Sequence, residues 1–239
     1  MIKMNLLFSM FFLIQNKGFI QKNLIKRNLN ILSACSEGQK NYKRLLYDKY
    51  TDLIICNGPA GSGKTTLACN FALDKLVNKD IRKIIITRPT ISIEEDLGYL
   101  PGNIDDKMLP YTIPIYDIFK ESIPKTKLDY YIKEGNIEVC PLGFMQGRTF
   151  KNSVIIADEM QNSSPQQMFM LLTRIGENSK MIVNGDLHQN NHNDNGLYDL
   201  IDKIEMNEMN INNIGYIKLE KKDIHRHPII ETILEIYDK

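Results

Sequence analysis

Six short apolar runs punctuate the chain, at residues 53–56, 83–87, 137–140, 154–157, 180–184 and 216–219. Each is the length of a buried strand, and apolar positions recur at helical spacing between them, over 39–47, 65–77, 116–122, 165–175, 197–206 and 228–236. Strands alternating with helices predict an α/β fold, with a mostly parallel sheet covered by helices on both faces. Two helices carry their own punctuation. Ser164 and Pro165 stand at the N-cap and first helical positions with Arg174 and Gly176 at the far end, and Pro228 opens the last helix. The stretch 89–114 is rich in Pro and Gly with little helical period, so it reads as a long functional loop over the sheet edge.

The first apolar run leads through Asn57 into Gly58-Pro59-Ala60-Gly61-Ser62-Gly63-Lys64-Thr65-Thr66, which matches the phosphate-cradling pattern G-x-x-x-x-G-K-[ST] at every fixed position. A glycine-rich turn between strand and helix aims backbone N–H groups and the positive end of the helix at one anion. Lys64 is then expected to neutralise the β- and γ-phosphates, the Thr65 hydroxyl to ligate Mg²⁺, and the loop through Thr66 to hold ATP. A second run ends in Asp158-Glu159, two carboxylates at the strand edge where ligands of open α/β sheets bind. Asp158 is expected to hold Mg²⁺ and Glu159 to take a proton from the attacking water. A third run leads into Gly185-Asp186-Leu187-His188-Gln189, where Gln189 is a candidate γ-phosphate sensor, and a turn built by Gly185 and Asp186 is the plain alternative. His188 and His192 stand four apart in an Asn-rich stretch and read as loop histidines rather than a metal pair.

Charge and composition narrow the class. The net charge is +1, yet the first 36 residues hold Lys3, Lys17, Lys22, Lys26 and Arg27 and no acid, so the rest is mildly acidic. Such a body is not expected to coat nucleic acid by charge alone. The apolar stretch 6–14 is too short to span a membrane as a helix. Residues 1–36 read as a basic, poorly ordered or packing extension, with an organelle-type leader or a surface anchor as alternatives, and residues 37–239 as one ATPase domain. Cys35, Cys56, Cys69 and Cys140 lack C-x-x-C spacing and read as reduced, structural thiols of a cytoplasmic protein without stable membrane insertion.

The phosphate loop is followed in order by Thr87-Arg88-Pro89, Leu97-Gly98-Tyr99-Leu100-Pro101-Gly102, Pro110-Tyr111 and Gly147-Arg148-Thr149. Then come Asp158-Glu159-Met160-Gln161-Asn162, Gln167-Met168, Leu172-Thr173-Arg174-Ile175-Gly176, Ser179-Lys180, Gly185-Asp186 with Gln189, and Arg226-His227-Pro228. In this the chain resembles the PhoH-like proteins, which are similar to the first motor domain of superfamily 1 helicases, and the resemblance implies a RecA-like P-loop NTPase core. The resemblance covers most of the chain. It implies that Gln39 reads adenine, that Tyr42 packs beside the base, and that Arg226 stabilises charge on the transferred phosphoryl group. Arg88 and Arg148 fall where related motors face a nucleic-acid strand. Where the family has Arg-Gly-Arg-Thr, this chain has Gln146-Gly147-Arg148-Thr149, so one positive charge is missing there, and the loop 190–195 also departs from the family pattern.

The expected activity is Mg²⁺-dependent ATP hydrolysis coupled to single-stranded RNA or DNA. A nucleotide-dependent switch with negligible turnover is the main alternative, and a small-molecule kinase a further one. One motor domain lacks the second that brings an arginine to the phosphate, so a homo-oligomeric ring in which a neighbour supplies Arg226 is the expected substitute.

Overall fold

The computed structural model describes residues 36–89, 104–189, 195–206, 212–224, 229 and 236, with the backbone alone for 104–112. Six strands form one sheet: β1 (Leu53–Asn57), β2 (Lys83–Arg88), β3 (Ile137–Pro141), β4 (Ser153–Ala157), β5 (Lys180–Gly185) and β6 (Ile214–Lys218). Their order is β3-β2-β4-β5-β1-β6 and every pair is parallel. Parallel strands need crossovers that cover both faces, which is why β1, β2, β4 and β5 are buried and apolar through their middles, while the edge strands β3 and β6 are partly exposed. The helices are α1 (Glu37–Tyr47), α2 (Lys64–Val77), α3 (Ile104–Ser122), α4 (Lys125–Lys133), α5 (Pro165–Leu172) and α6 (Gly196–Glu205).

Side chains alternate across the sheet into two cores. Ile54, Cys56, Ile84, Ile86, Val154, Ile156 and Ile182 pack with α1, α2, α3 and α4 on one face. Ile55, Ile85, Ile155, Ala157, Met181 and Val183 pack with α5 and α6 on the other. The expected α/β RecA-like fold is therefore the one observed. Asp158 and Arg88 continue the parity of Ile156 and Ile86, so both turn toward the face that carries α2.

Three sequence expectations change. The stretch 89–114 is not a loop throughout, because α3 begins at Ile104 and runs through Pro110 and Pro114. Proline costs about 3 kcal/mol inside a helix, which disguised it. Ile115, Phe119 and Ile123, one face at four-residue spacing, are buried beside α2 and anchor the helix's C-terminal half. Helix α4 was not expected, since of its residues only Leu128 is buried and its apolar stripe is correspondingly thin. Helix α5 starts at the expected Ser164 cap, with the Gln167 capping box and Pro165 in place, but stops at Leu172. Beyond it Ile175 bridges Phe150, and a Cβ at Gly176 would lie 2.7 Å from the Phe150 carbonyl, so the chain is pulled off helical course.

Strand β6 is shifted toward the N-terminus of its expected span, and Leu219 lies just past it, its N–H donating to the Asn57 carbonyl at 2.8 Å. Of the expected helix 228–236 only Ile229 and Ile236 are described, both helical, and the motifs at 97–102 and 226–228, the loop 190–194 and nearly all of the N-terminal extension lie outside the described residues. Ser36, at the extension's end, caps α1. No helix among the described residues is long and apolar enough to cross a membrane.

Candidate nucleotide site at the sheet edge

All strands being parallel, their C-terminal ends open on one edge, and β5 lies between β1 and β4. The loop after β1 and the acids after β4 are thus brought together from about a hundred residues apart. Gly61 and Gly63 have φ of 83° and 88°, a left-handed backbone that side chains disfavour. Gly58 passes so close to Leu219 that a Cβ would sit 2.7 Å from the Leu219 Cβ. The Ser62 hydroxyl donates to the Pro59 carbonyl at 2.7 Å and ties the loop to itself. Lys64 Nζ is folded back, donating to the carbonyls of Gly58 at 2.5 Å and Pro59 at 3.0 Å.

At the head of α2, the Thr65 hydroxyl donates to Asp158 Oδ1 at 2.8 Å. The other carboxylate oxygen, Oδ2, accepts from Arg88 Nε at 3.1 Å and Nη2 at 2.5 Å. Asp158 is only 1% exposed, and burial of a charge at this depth requires such partners. Arg88, expected to face a nucleic-acid strand, is therefore turned inward onto the metal-ligand candidate. Thr66 is half-buried on the first turn beside Thr65.

Glu159 follows with φ 56° and ψ 37°, left-handed and without the excuse of glycine, a conformation that costs about 1 to 2 kcal/mol. Its Oε2 accepts from Gln161 Nε2 at 2.6 Å. Gln161 Oε1 in turn accepts from the Asp186 N–H at 3.1 Å, which joins the ends of β4 and β5. The turn expected from Gly185 and Asp186 is present, with the His188 N–H donating to Asp186 Oδ1 at 3.0 Å and the Gln189 N–H to the Asp186 carbonyl at 3.2 Å. It leaves the Gln189 and His188 side chains exposed at the edge. Among the described residues no group of His, Cys, Asp and Glu is placed to hold a metal ion by itself.

The two residues expected at the base are both turned inward. Gln39 is buried, and Nε2 donates to the carbonyls of Ser62 and Asp223, each at 3.0 Å, while Oε1 accepts from the Ser36 N–H. Both amide hydrogens are thus used in bracing the phosphate loop from behind. Tyr42 is fully buried with its hydroxyl donating to Asn184 Oδ1 at 2.9 Å, and burial pushes its pKa well above the usual phenol value. It is part of the core. The reason is shared: Gln39, Tyr42 and Leu46 form the inward face of α1. Arg226 lies outside the described residues.

Arg148 reaches Glu138 Oε1, on the edge strand β3, at 2.6 Å and lies 4.7 Å from the Phe150 ring centroid. Cys56 and Cys69 are buried free thiols whose pKa values burial raises, and burial lifts that of Cys140 to about 11, in keeping with structural roles. Sequence reasoning gave no role to Gln161 or Asn184. The signal for Gln161 was its place two residues after Glu159, within reach of it by one turn.

A family model described as "PhoH-like protein" matches residues 31–238. A PhoH-like protein of Bacillus subtilis is 41% identical over 220 residues, covering 92% of this chain and 67% of that protein. One of Synechocystis is 36% identical over 225 residues, with 92% and 67% covered. Protein PhoH of Escherichia coli is 37% identical over 216 residues, and the match spans 88% of this chain and 59% of that one. The chain thus matches roughly three fifths to two thirds of these relatives' length, and its match runs through both the phosphate loop and the acid pair: it belongs to the PhoH-like protein family.

Proposed function

We propose that this chain binds ATP with Mg²⁺ at the edge formed by β1, β4 and β5 and hydrolyses it, and that turnover is coupled to single-stranded RNA or DNA. One observation carries the reading: Asp158, buried at the end of β4, bonds the threonine that opens α2 through one oxygen and a cation through the other. The donor set fits Mg²⁺, because hydroxyl and carboxylate oxygens suit a hard cation that retains waters and phosphate oxygens. The Arg88 guanidinium stands in for that charge.

When bound, Mg²⁺ would offset the charge of the β- and γ-phosphates. The chain's own groups do the rest. Lys64 exchanges the Gly58 and Pro59 carbonyls for phosphate oxygens, a stronger acceptor set for an ammonium. The N–H groups at the head of α2 hold the anion. Glu159 accepts the proton of the attacking water, and Gln189, on the turn after β5, is the group available to sense the γ-phosphate.

For the polymer, Arg148 and the 57% exposed Phe144, both shortly after β3, supply a cation and a stacking face. Arg88 joins them once Asp158 no longer holds it. The test is steady-state ATP turnover with and without single-stranded RNA and DNA. Stimulation by a polymer supports the coupling, and identical rates in all conditions overturn it.

The Arg88 and Asp158 ion pair also favours a second reading, a nucleotide-dependent switch with negligible turnover. Tight Mg²⁺·ATP binding without phosphate release would establish that one.

A further inference from the structure

The geometry points to Gln161 as a positioning residue that aims Glu159 and ties it to the turn carrying Gln189; this rests on the reading of Glu159 as the base. Gln161 is 1% exposed, and its carboxamide is used from both ends. A carboxylate only accepts and a backbone N–H only donates, so the amide orientation is fixed by chemistry: Nε2 to Glu159 Oε2 at 2.6 Å, Oε1 from the Asp186 N–H at 3.1 Å. The space is kept for it. A Cβ on Gly185 would lie 2.7 Å from Gln161 Oε1 and 2.5 Å from Leu197 Cδ2.

The backbone explains why Glu159 needs a clamp. At φ 56° the chain turns sharply out of β4 into the 3-10 turn Met160–Asn162, which is closed by the Ser163 hydroxyl on the Met160 carbonyl at 2.7 Å. That turn carries Gln161 back beneath Glu159, so the residue that follows the strained one by two supplies the bond that fixes its side chain. A base held by a buried neutral donor keeps its second oxygen free to meet a water, and because the donor carries no charge it orients the carboxylate without pairing it as an arginine would. The same carboxamide senses the position of Asp186, and through it the turn of Gln189. A shift of that turn on γ-phosphate contact would be passed to Glu159 through one side chain.

Two substitutions separate orientation from scaffolding. Gln161→Ala removes both bonds. Gln161→Glu keeps an acceptor for the Asp186 N–H but offers Glu159 a carboxylate in place of a donor. Single-turnover hydrolysis is expected to fall at least tenfold in both variants, with Mg²⁺·ATP affinity within about threefold of wild type, the scale of effects seen when outer-shell partners are removed. Hydrogen exchange at the Asp186 amide, read without nucleotide, should accelerate in Gln161→Ala and stay protected in Gln161→Glu. In a Glu159→Gln background, Gln161→Ala should change the residual rate by less than twofold, since the group it aims is already gone.

A role confined to holding the turn predicts the opposite for Gln161→Glu, namely near wild-type turnover, and that result would overturn the inference. So would a further large loss from Gln161→Ala on top of Glu159→Gln. If Glu159→Gln itself turned over at the wild-type rate, the reading of the site would fail first, and the two failures are distinguishable.

Discussion

Two arginine and carboxylate pairs stand on this sheet, one at the C-terminal ends of central strands and one on an edge strand, and do different work. Arg88 and Asp158 meet in the middle of the sheet, with the carboxylate 1% and the guanidinium 18% exposed. Arg148 and Glu138 meet at the outer strand, 37% and 27% exposed. The chemistry is identical and the solvent is not. Removing one partner of a buried pair leaves an uncompensated charge, at about 3 to 5 kcal/mol, whereas a solvated pair is worth about 0 to 1 kcal/mol. The inner carboxylate therefore always needs a cation, and a ligand that brings one can take over from Arg88. The outer pair can open to a phosphate backbone at little loss.

The two pairs should differ most in thermal unfolding. Without nucleotide, Arg88→Ala should lose about 3 kcal/mol of stability, and saturating Mg²⁺·ATP should return most of it by supplying Asp158 with another cation. Arg148→Ala should lose under about 1 kcal/mol with or without nucleotide. Equal small losses in both variants would mean that Asp158 does not depend on Arg88.

A smaller effect tests what stands behind the phosphate loop. Gln39→Ala leaves the Ser62 and Asp223 carbonyls without a donor, a loss of about 1 to 2 kcal/mol. ATP and GTP affinity should weaken by the same factor in a competition assay. A loss confined to ATP would restore the adenine-reading role.

How much of this was readable beforehand depended on whether local spacing or distant packing decided it. Gly61, Gly63, Lys64 and Thr65 were legible because the left-handed turns and the helix head that an anion needs are set within nine residues. Asp158 and Glu159 were legible because an apolar strand must end where its ligands begin. The inward placement of Gln39 and Tyr42 was not legible, because only the packing of α1 against the loop, β5 and the Asp223 turn shows that these positions form a buried helix face. Arg88 was placed on the right strand end, but its partner lies seventy residues away, and no spacing rule reports that. Helix α3 was hidden by two prolines that tertiary packing outweighs.

The smallest effect concerns pH. The hydrogen bond from Arg148, and then its charge, hold the Glu138 carboxyl below the ordinary glutamate range. A depressed folded-state pKa means that the stabilisation is present above the unfolded value, about 4.3, and is lost as pH falls through the folded one. The stability gap between wild type and Arg148→Ala, already under about 1 kcal/mol, should close on the acid side in urea titrations. A gap unchanged at pH 2 would show that Arg148 acts through its packing on Phe150 instead.

If the carboxylates after β4 divide the work of hydrolysis, Glu159→Gln separates binding from turnover. Calorimetry and phosphate release on one preparation should show Mg²⁺·ATP affinity within about threefold of wild type and turnover lowered by at least about 100-fold. Turnover near the wild-type rate would mean that Glu159 does not take the proton.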